Sequence, residues 1–331
     1  MVGQDIEGIL STIGNTPLVR LKRLFPQASQ QVYAKLERFN PGGSIKDRSA
    51  LSMLLGRIRD GELTPGLSVV VESSSGNLAI GIAQICRYFN LRFICVVDAR
   101  TTQQNLGILR AYHAEIELIT EADASTGEFL PLRLRRVAEL VETIPHAYSP
   151  NQYANLLNPR AHEHTMSEIA RDLGGRVDYL FCTTSTFGTL RGCAEYIREQ
   201  GMSTRIVAVD AIGSVIFGNA PAERLLPGHG ASVVPALADP TLAHDVVHVS
   251  DLDCVVACRR LVGREAILAG GSSGATVAAL LPRIEDLPAD ANIVMIFPDG
   301  GDRYLNTIYS DPWVTTHFGE ISHLWKEQTA C

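Results

Sequence analysis

Val69-Val70-Val71-Glu72-Ser73-Ser74-Ser75-Gly76-Asn77-Leu78-Ala79-Ile80 passes from an apolar run, through a turn of serines and one glycine, into a helical pattern. A run without polar alternation suits a parallel strand covered on both faces. Small hydroxyl residues at a helix amino terminus offer N–H groups and hydroxyls to an anion such as a carboxylate. The same letters also serve as a plain serine-rich helix cap.

Outward from this stretch, similar runs occupy 31–36, 92–97, 115–119, 179–182, 205–209 and 293–297, with helical patterns at 47–60, 78–90, 103–112, 132–143 and 188–200. Such alternation predicts an α/β fold of two doubly wound open-sheet domains, with ligand sites at the carboxyl ends of strands. The Pro/Asn-rich segment 149–159 reads as the crossover between domains. We expect a smaller, mobile substrate-loop domain over 42–154, a larger domain over 12–41 and 155–320, and a tail over 321–331. The Gly/Pro-rich stretch 218–240 is too long for a simple connection and is expected to serve the site.

Composition narrows the function. A chain of 331 residues, 46% hydrophobic and 20% charged, can bury a large core. A net charge of -7, without blocks of like charge, argues against nucleic acid or an anionic membrane as partner and leaves small molecules. The seven cysteines form no C-x-x-C pair, so no metal site is expected and a reducing cytoplasm fits. The segment Met1–Glu7 lacks the blocks of a signal peptide, and no apolar run is long enough to span a bilayer.

Three further turns carry chemistry. Asn40-Pro41-Gly42-Gly43-Ser44-Ile45-Lys46-Asp47-Arg48 places Lys46 behind a Pro/Gly turn at the mouth of a helix. Partial burial and the positive end of the helix dipole lower an amine's pKa there, which suits it to bond an aldehyde cofactor. Taken alone, the stretch also reads as a loop boundary with a solvated lysine. Cys182-Thr183-Thr184-Ser185-Thr186-Phe187-Gly188-Thr189-Leu190 is a hydroxyl-rich turn of the kind that cradles phosphate. Neither the G-x-x-x-x-G-K-[ST] order nor a G-x-G-x-x-G fingerprint between strand and helix is present, so nucleotide hydrolysis and dinucleotide binding are unsupported. Leu268-Ala269-Gly270-Gly271-Ser272-Ser273-Gly274-Ala275 combines close backbone approach with hydroxyls, although small residues also serve tight helix packing.

Together and in this order, the turns resemble the β-family, or fold-type II, pyridoxal-phosphate enzymes, which include cysteine synthase and the catalytic core of cystathionine β-synthase. The likeness runs from Ile13-Gly14-Asn15-Thr16-Pro17-Leu18-Val19 to Pro298-Asp299-Gly300-Gly301-Asp302-Arg303-Tyr304. It implies a tryptophan synthase β-like fold, pyridoxal 5'-phosphate as cofactor, cofactor binding by the larger domain, and a cytoplasmic homodimer. By resemblance, Lys46 is the cofactor's covalent anchor and Asn77 meets its 3' oxygen. Ser74, Ser75 and Asn77, with Gln152, would hold the substrate carboxylate. Ser185, Thr186, Phe187, Gly188 and Thr189 would hold the cofactor phosphate, and Ser272 would face the pyridine nitrogen.

The substrate loop of cysteine synthases usually reads T-S-G-N-T-G and the phosphate loop G-T-G-G-T. Here they are Ser74-Ser75-Gly76-Asn77-Leu78-Ala79 and Ser185-Thr186-Phe187-Gly188-Thr189, with a bulky Phe187 in place of a glycine. These departures put sulfide in doubt as second substrate. A nearer resemblance is to the branch making N-(2-amino-2-carboxyethyl)-L-glutamate for 2,3-diaminopropionate, a precursor of staphyloferrin B-type siderophores and some peptide antibiotics. Phe39-Asn40-Pro41-Gly42-Gly43-Ser44, Asn151-Gln152-Tyr153-Ala154-Asn155, Ile206-Val207-Ala208-Val209-Asp210-Ala211, Gly213-Ser214-Val215-Ile216-Phe217-Gly218 and Tyr309-Ser310-Asp311-Pro312-Trp313 carry it. Within Gly228-His229-Gly230-Ala231-Ser232, His229 replaces a usual apolar residue and reads as a surface-packed histidine rather than a catalytic one.

The chemistry implied is β-replacement by a transferase, with Lys46 as the base at Cα. Leu130-Pro131-Leu132-Arg133-Leu134-Arg135-Arg136 supplies a basic cluster, and an arginine fork suits a phosphate ester. O-phospho-L-serine is therefore the expected donor and L-glutamate the acceptor. The resemblance points to Arg133, with Tyr153 and Ser185, for the donor phosphate, while Arg135 and Arg136 read as a solvated face. The alternatives are a cysteine synthase using O-acetylserine or O-phosphoserine, and a cofactor-binding scaffold without turnover, against which an intact Lys46 counts.

Overall fold

The computed structural model describes residues 6–123 and 127–326. Cys331 and the end of the expected tail, 327–331, lie outside the described residues. The chain runs β1 (Leu18–Arg20), β2 (Gln31–Leu36), α1 (Lys46–Arg59), β3 (Val69–Ser73), α2 (Asn77–Tyr88), β4 (Arg92–Asp98), α3 (Gln103–Ala111), β5 (Glu115–Ile119), α4 (Leu130–Thr143) and β6 (Ala147–Tyr148). It continues with α5 (Leu157–Asp172), β7 (Tyr179–Thr183), α6 (Gly188–Glu199), β8 (Arg205–Ala211), β9 (Asp245–Val249), α7 (Asp251–Glu265), α8 (Gly271–Leu280), β10 (Asn292–Phe297) and α9 (Asp311–Phe318). One compact unit takes in residues 6–13 and Asn40–Asn158, the other Gly14–Phe39 and residues 159–326.

The first unit holds a four-stranded parallel sheet in the order β5-β4-β3-β6. Every residue of β3 is buried, and alternation sends Val70 into a core with Leu54, Ile82 and Leu109, from α1, α2 and α3. Val69 and Val71 pack on the opposite face with Val137 and Leu140 of α4. The strand order reverses between β3 and β6, so the carboxyl end of β3 lies at a switch point, where open α/β sheets bind ligands.

The second unit holds a six-stranded sheet in the order β1-β2-β10-β7-β8-β9, parallel except for β1. Its switch point lies between β10 and β7, at the end of β7, from which the Ser185–Thr189 turn departs. The 212–239 stretch contains no helix or strand. No helix among the described residues is long and apolar enough to cross a membrane. The six described cysteines are buried and form no disulfide among the described residues, and burial pushes the thiols of Cys95 and Cys258 up to about 12, which leaves them unreactive.

Candidate active site

In the first unit, Lys46 is half-buried and opens α1. The preceding turn depends on its glycines. Gly43 adopts φ +87 and donates its N–H to the Asn40 carbonyl at 2.8 Å. The Gly42 N–H donates to the Asp47 carboxylate, an approach that a Cβ at position 42 would obstruct. Asp47 thereby places negative charge in the first turn of α1, where the helix dipole favours it. Further along α1, the Ser49 hydroxyl donates to Asn158 Oδ1, and Asn158 Nδ2 donates to the Gln152 carbonyl, each at 2.8 Å. The helix that begins at Lys46 therefore also fixes the Gln152 segment.

The serine turn is organised around α2. Ser74 Oγ accepts the Ala79 N–H at 3.2 Å, and the Ser75 carbonyl accepts from Asn105 Nδ2 at 2.9 Å. Asn77 is the first helical residue, behind Gly76, beyond whose Cα a side chain would meet no described atom within 4 Å. This is an open helix amino terminus of the kind that accepts a carboxylate.

Glu72, not singled out from the sequence, lies buried just before that turn. Its Oε1 accepts the Ser73 N–H at 2.8 Å and its Oε2 the Asn151 N–H at 2.9 Å, with Asn151 in the left-handed region at φ +48. Burial pushes this carboxyl up to about 7, against the lowering effect of the Ser73, Asn151 and Gln152 N–H groups and of Arg133. The warning sign in the sequence was a lone acid inside an all-apolar strand, since unpaired acids are almost never fully buried. Its Asn151 partner could not be read, because it lies more than seventy residues away.

Arg133 turns inward from α4, its side chain 13% exposed and its Nη1 3.3 Å from Asp98 Oδ2. Its Nε is buried and finds no hydrogen-bond partner among the described residues. Arg135 is exposed, and Arg136 pairs with Glu117 and Glu139 at 2.8 and 3.1 Å, the arrangement of a solvated face. Tyr153 is half-buried, and burial raises its phenol above the ordinary range while Arg133 opposes the shift. The first unit thus brings Glu72, Arg133, Tyr153 and Asp98 into one electrostatic cluster.

In the second unit, the turn from β7 into α6 carries Ser185, Thr186, Phe187, Gly188 and Thr189. The Gly188 N–H donates to Thr186 Oγ1 at 3.4 Å, and Thr189 Oγ1 lies 3.5 Å from Nε2 of the buried His162. Phe187 caps the helix in the left-handed region at φ +69, strained for a bulky residue, with its buried ring 6.0 Å from that of Phe217. Asp210, buried near the end of β8, interacts with Thr184 and Ser214, and burial raises its carboxyl above the usual range.

Ser272 lies buried in the first turn of α8, whose cap, Gly270, has no room for a side chain beside Asp299. The Tyr304 hydroxyl donates to Asp299 at 2.8 Å and the Tyr309 hydroxyl to the Ala269 carbonyl at 2.6 Å, bracing this turn. Gly228, at φ +102, faces Ser272, and a Cβ there would stand 3.5 Å from the Ser272 hydroxyl oxygen. His229 corrects the sequence reading of a surface histidine. It is 1% exposed beside Cys254, and burial, with Arg224 adding to the effect, pushes its pKa down to about 4. A neutral imidazole is easily buried, which is why a histidine can take a usually apolar position.

These residues suit pyridoxal phosphate. Within the second unit, the α6 turn has N–H groups and hydroxyls of the kind a phosphate needs, and Ser272 has an uncharged hydroxyl beside space that a Cβ at Gly228 would narrow; the first unit, by itself, has a half-buried amine at Lys46. A family model described as pyridoxal-phosphate dependent enzyme matches residues 9–299. The chain belongs to the pyridoxal-phosphate dependent enzyme family. It is 45% identical over 309 residues to N-(2-amino-2-carboxyethyl)-L-glutamate synthase of Ralstonia nicotianae, covering 93% of this chain and 91% of that protein. Among solved structures, O-ureido-L-serine synthase shares 33% identity with a TM-score of 0.83 over 93% of this chain and 98% of the other. Cysteine synthase of Entamoeba histolytica shares 30% identity with a TM-score of 0.85 over 93% and 92%. This pyridoxal-phosphate dependent enzyme therefore has the cysteine synthase type of α/β fold, as its motifs implied.

Proposed function

We propose that the enzyme joins O-phospho-L-serine and L-glutamate by β-replacement, giving N-(2-amino-2-carboxyethyl)-L-glutamate and phosphate for 2,3-diaminopropionate, and thence siderophore or antibiotic, biosynthesis. The observation that carries the donor assignment is Arg133, a cation directed inward with an unpaired, buried Nε. Similarity to the Ralstonia synthase supports the product. When bound, the cofactor supplies an electron-withdrawing ring that acidifies the donor's Cα–H.

In this reading the residues of 42–154 bind substrate and those of 12–41 and 155–320 bind cofactor. Lys46 anchors the cofactor, and its Nζ removes the Cα proton as general base. Ser74, Ser75, Asn77 and Gln152 orient the donor carboxylate, and Asn77 also meets the cofactor's 3' oxygen. Arg133, Tyr153 and Ser185 take the phosphate as it leaves Cβ, and the glutamate amine then bonds to that carbon with loss of its own proton while the Lys46 Nζ returns a proton to Cα. Ser185 through Thr189 hold the cofactor phosphate. Ser272, being neutral, leaves the ring nitrogen unprotonated, which limits electron withdrawal and favours elimination over transamination. We place the enzyme in the cytoplasm as a homodimer.

Likeness to cysteine synthase favours one alternative, sulfide as the nucleophile. Incubating holoenzyme with phosphoserine and either glutamate or sulfide, with mass-spectrometric product analysis, separates the two. The aminocarboxyethyl-glutamate adduct with phosphate release is expected. Cysteine formation without that adduct would establish the sulfhydrylase instead.

A further inference from the structure

We propose that Glu72 is a positioning residue that ties the serine turn to the Asn151–Gln152 segment and takes up a proton when an anionic donor engages Arg133. The proposal rests on the donor reading of Arg133 given above. Its geometric basis is a two-sided clamp. One carboxylate oxygen holds the Ser73 N–H, next to Ser74 and Ser75, and the other holds the Asn151 N–H, next to Gln152, so one buried group sets the spacing of two segments assigned to the donor carboxylate.

The groups acting on Glu72 come from every neighbouring element. They are the N–H groups of Ser73, Asn151 and Gln152, the Arg133 guanidinium from α4, and the Cys95 thiol and Tyr153 phenol, both of which register the Glu72 charge. Asp98, at the end of β4, pairs with the same Arg133. Arg133 is the one cation in this set, and two carboxylates already draw on it. A phosphate group arriving there neutralises the charge that favours ionised Glu72 and adds like charge nearby, and both effects favour the protonated acid. With the carboxyl already raised to about 7 by burial, that proton comes from solvent at neutral pH and adds to the Glu72 carboxylate. Donor binding thereby becomes proton-linked.

The test uses L-2-amino-4-phosphonobutanoate, which replaces the ester oxygen of phosphoserine by carbon and cannot release phosphate. Calorimetric titration of holoenzyme in buffers of differing ionisation enthalpy gives affinity and protons taken up. Between pH 7 and 8, wild type should take up a substantial fraction of a proton more than Glu72→Gln. Its affinity relative to that variant should fall with rising pH, by at most about tenfold per pH unit. Equal uptake and parallel affinity profiles in the two proteins would overturn the proposal while leaving the donor reading intact. Failure of the phosphonate to bind wild type would count against the donor reading itself. Should Glu72→Gln not fold, Arg133→Ala provides the second comparison. Its proton uptake per bound phosphonate should be lower than in wild type, and unchanged uptake would reject the linkage.

Discussion

The two hydroxyl-rich turns, Ser73–Asn77 in the first unit and Thr184–Gly188 in the second, each lead from a buried parallel strand into a helix, yet they are built differently. The first reaches α2 through Gly76, with open space beyond it, and is tethered through Glu72 to a segment far along the chain. The second reaches α6 through Phe187, in the left-handed region, its ring buried beside Phe217. In the proposed reading the first turn receives a changing substrate, which suits a turn held by polar contacts and left open. In the same reading the second turn holds a permanent phosphate, which suits a turn whose strained residue is over-determined by packing. On this contrast, damage to the first set should impair turnover with cofactor retained, and damage to the second should release cofactor.

The largest effect that sharpens the contrast is Lys46→Ala. Turnover should be abolished, while the protein still retains pyridoxal phosphate noncovalently through the second unit, as read from absorbance after desalting. Borohydride reduction of wild type should map the cofactor to Lys46. Lys35, which is fully buried, is held by Glu168 at 2.8 Å and by the Thr16 carbonyl at 2.6 Å, and a cofactor mapped there would break the assignment.

Glu72→Gln bears on stability as well as on binding. A carboxyl raised by burial contributes stability fully present below its unfolded pKa and lost as pH rises through its folded value, here about 7. The variant lacks that dependence. Its stability relative to wild type should therefore rise from pH 5 to 7.5, by roughly 2 kcal/mol in denaturant unfolding. A constant difference across that range would show that the acid does not titrate there.

Thr189→Ala should weaken cofactor binding by roughly tenfold, the scale of one hydrogen bond to a charged group, with smaller effects on donor affinity. Donor affinity falling while cofactor binding holds would reverse the assigned roles. Phe187→Gly sets lost burial against relieved strain. Burial of an aromatic ring is worth about 3–5 kcal/mol and the strain about 1–3, so a net loss of about 2 kcal/mol is expected in thermal or denaturant unfolding. A stabilised variant would show that the strain outweighs the packing.

Much of this organisation was legible because strands buried on both faces leave continuous apolar runs. β3, β4 and β10 were found for that reason, and the serine and threonine turns were placed at their ends. β9 was missed because Asp245 and His248 interrupt it at the sheet edge, and β6 because two residues carry no periodicity. α5 begins at Leu157, inside the segment read as a crossover, and its many charged and histidine residues obscured the helical pattern. The turn before Lys46 was legible because its glycines and the start of α1 are set by residues adjacent in sequence. The Glu72, Asn151 and Arg133 cluster depends on contacts distant in sequence, so only the fold discloses it. His229 was misplaced because a neutral imidazole can be buried where its letter suggests a polar surface.

In the proposed reading an inward-turned arginine selects a phosphorylated donor, and rapid mixing of holoenzyme with donor alone distinguishes that role from a structural one. Following loss of the donor's leaving group for O-phospho-L-serine and O-acetyl-L-serine, in wild type and Arg133→Ala, isolates the first half-reaction from acceptor addition. Wild type should prefer phosphoserine, and the variant should lose about ten- to a hundred-fold with phosphoserine while changing little with acetylserine. Equal rates with phosphoserine in the two proteins would contradict the claim.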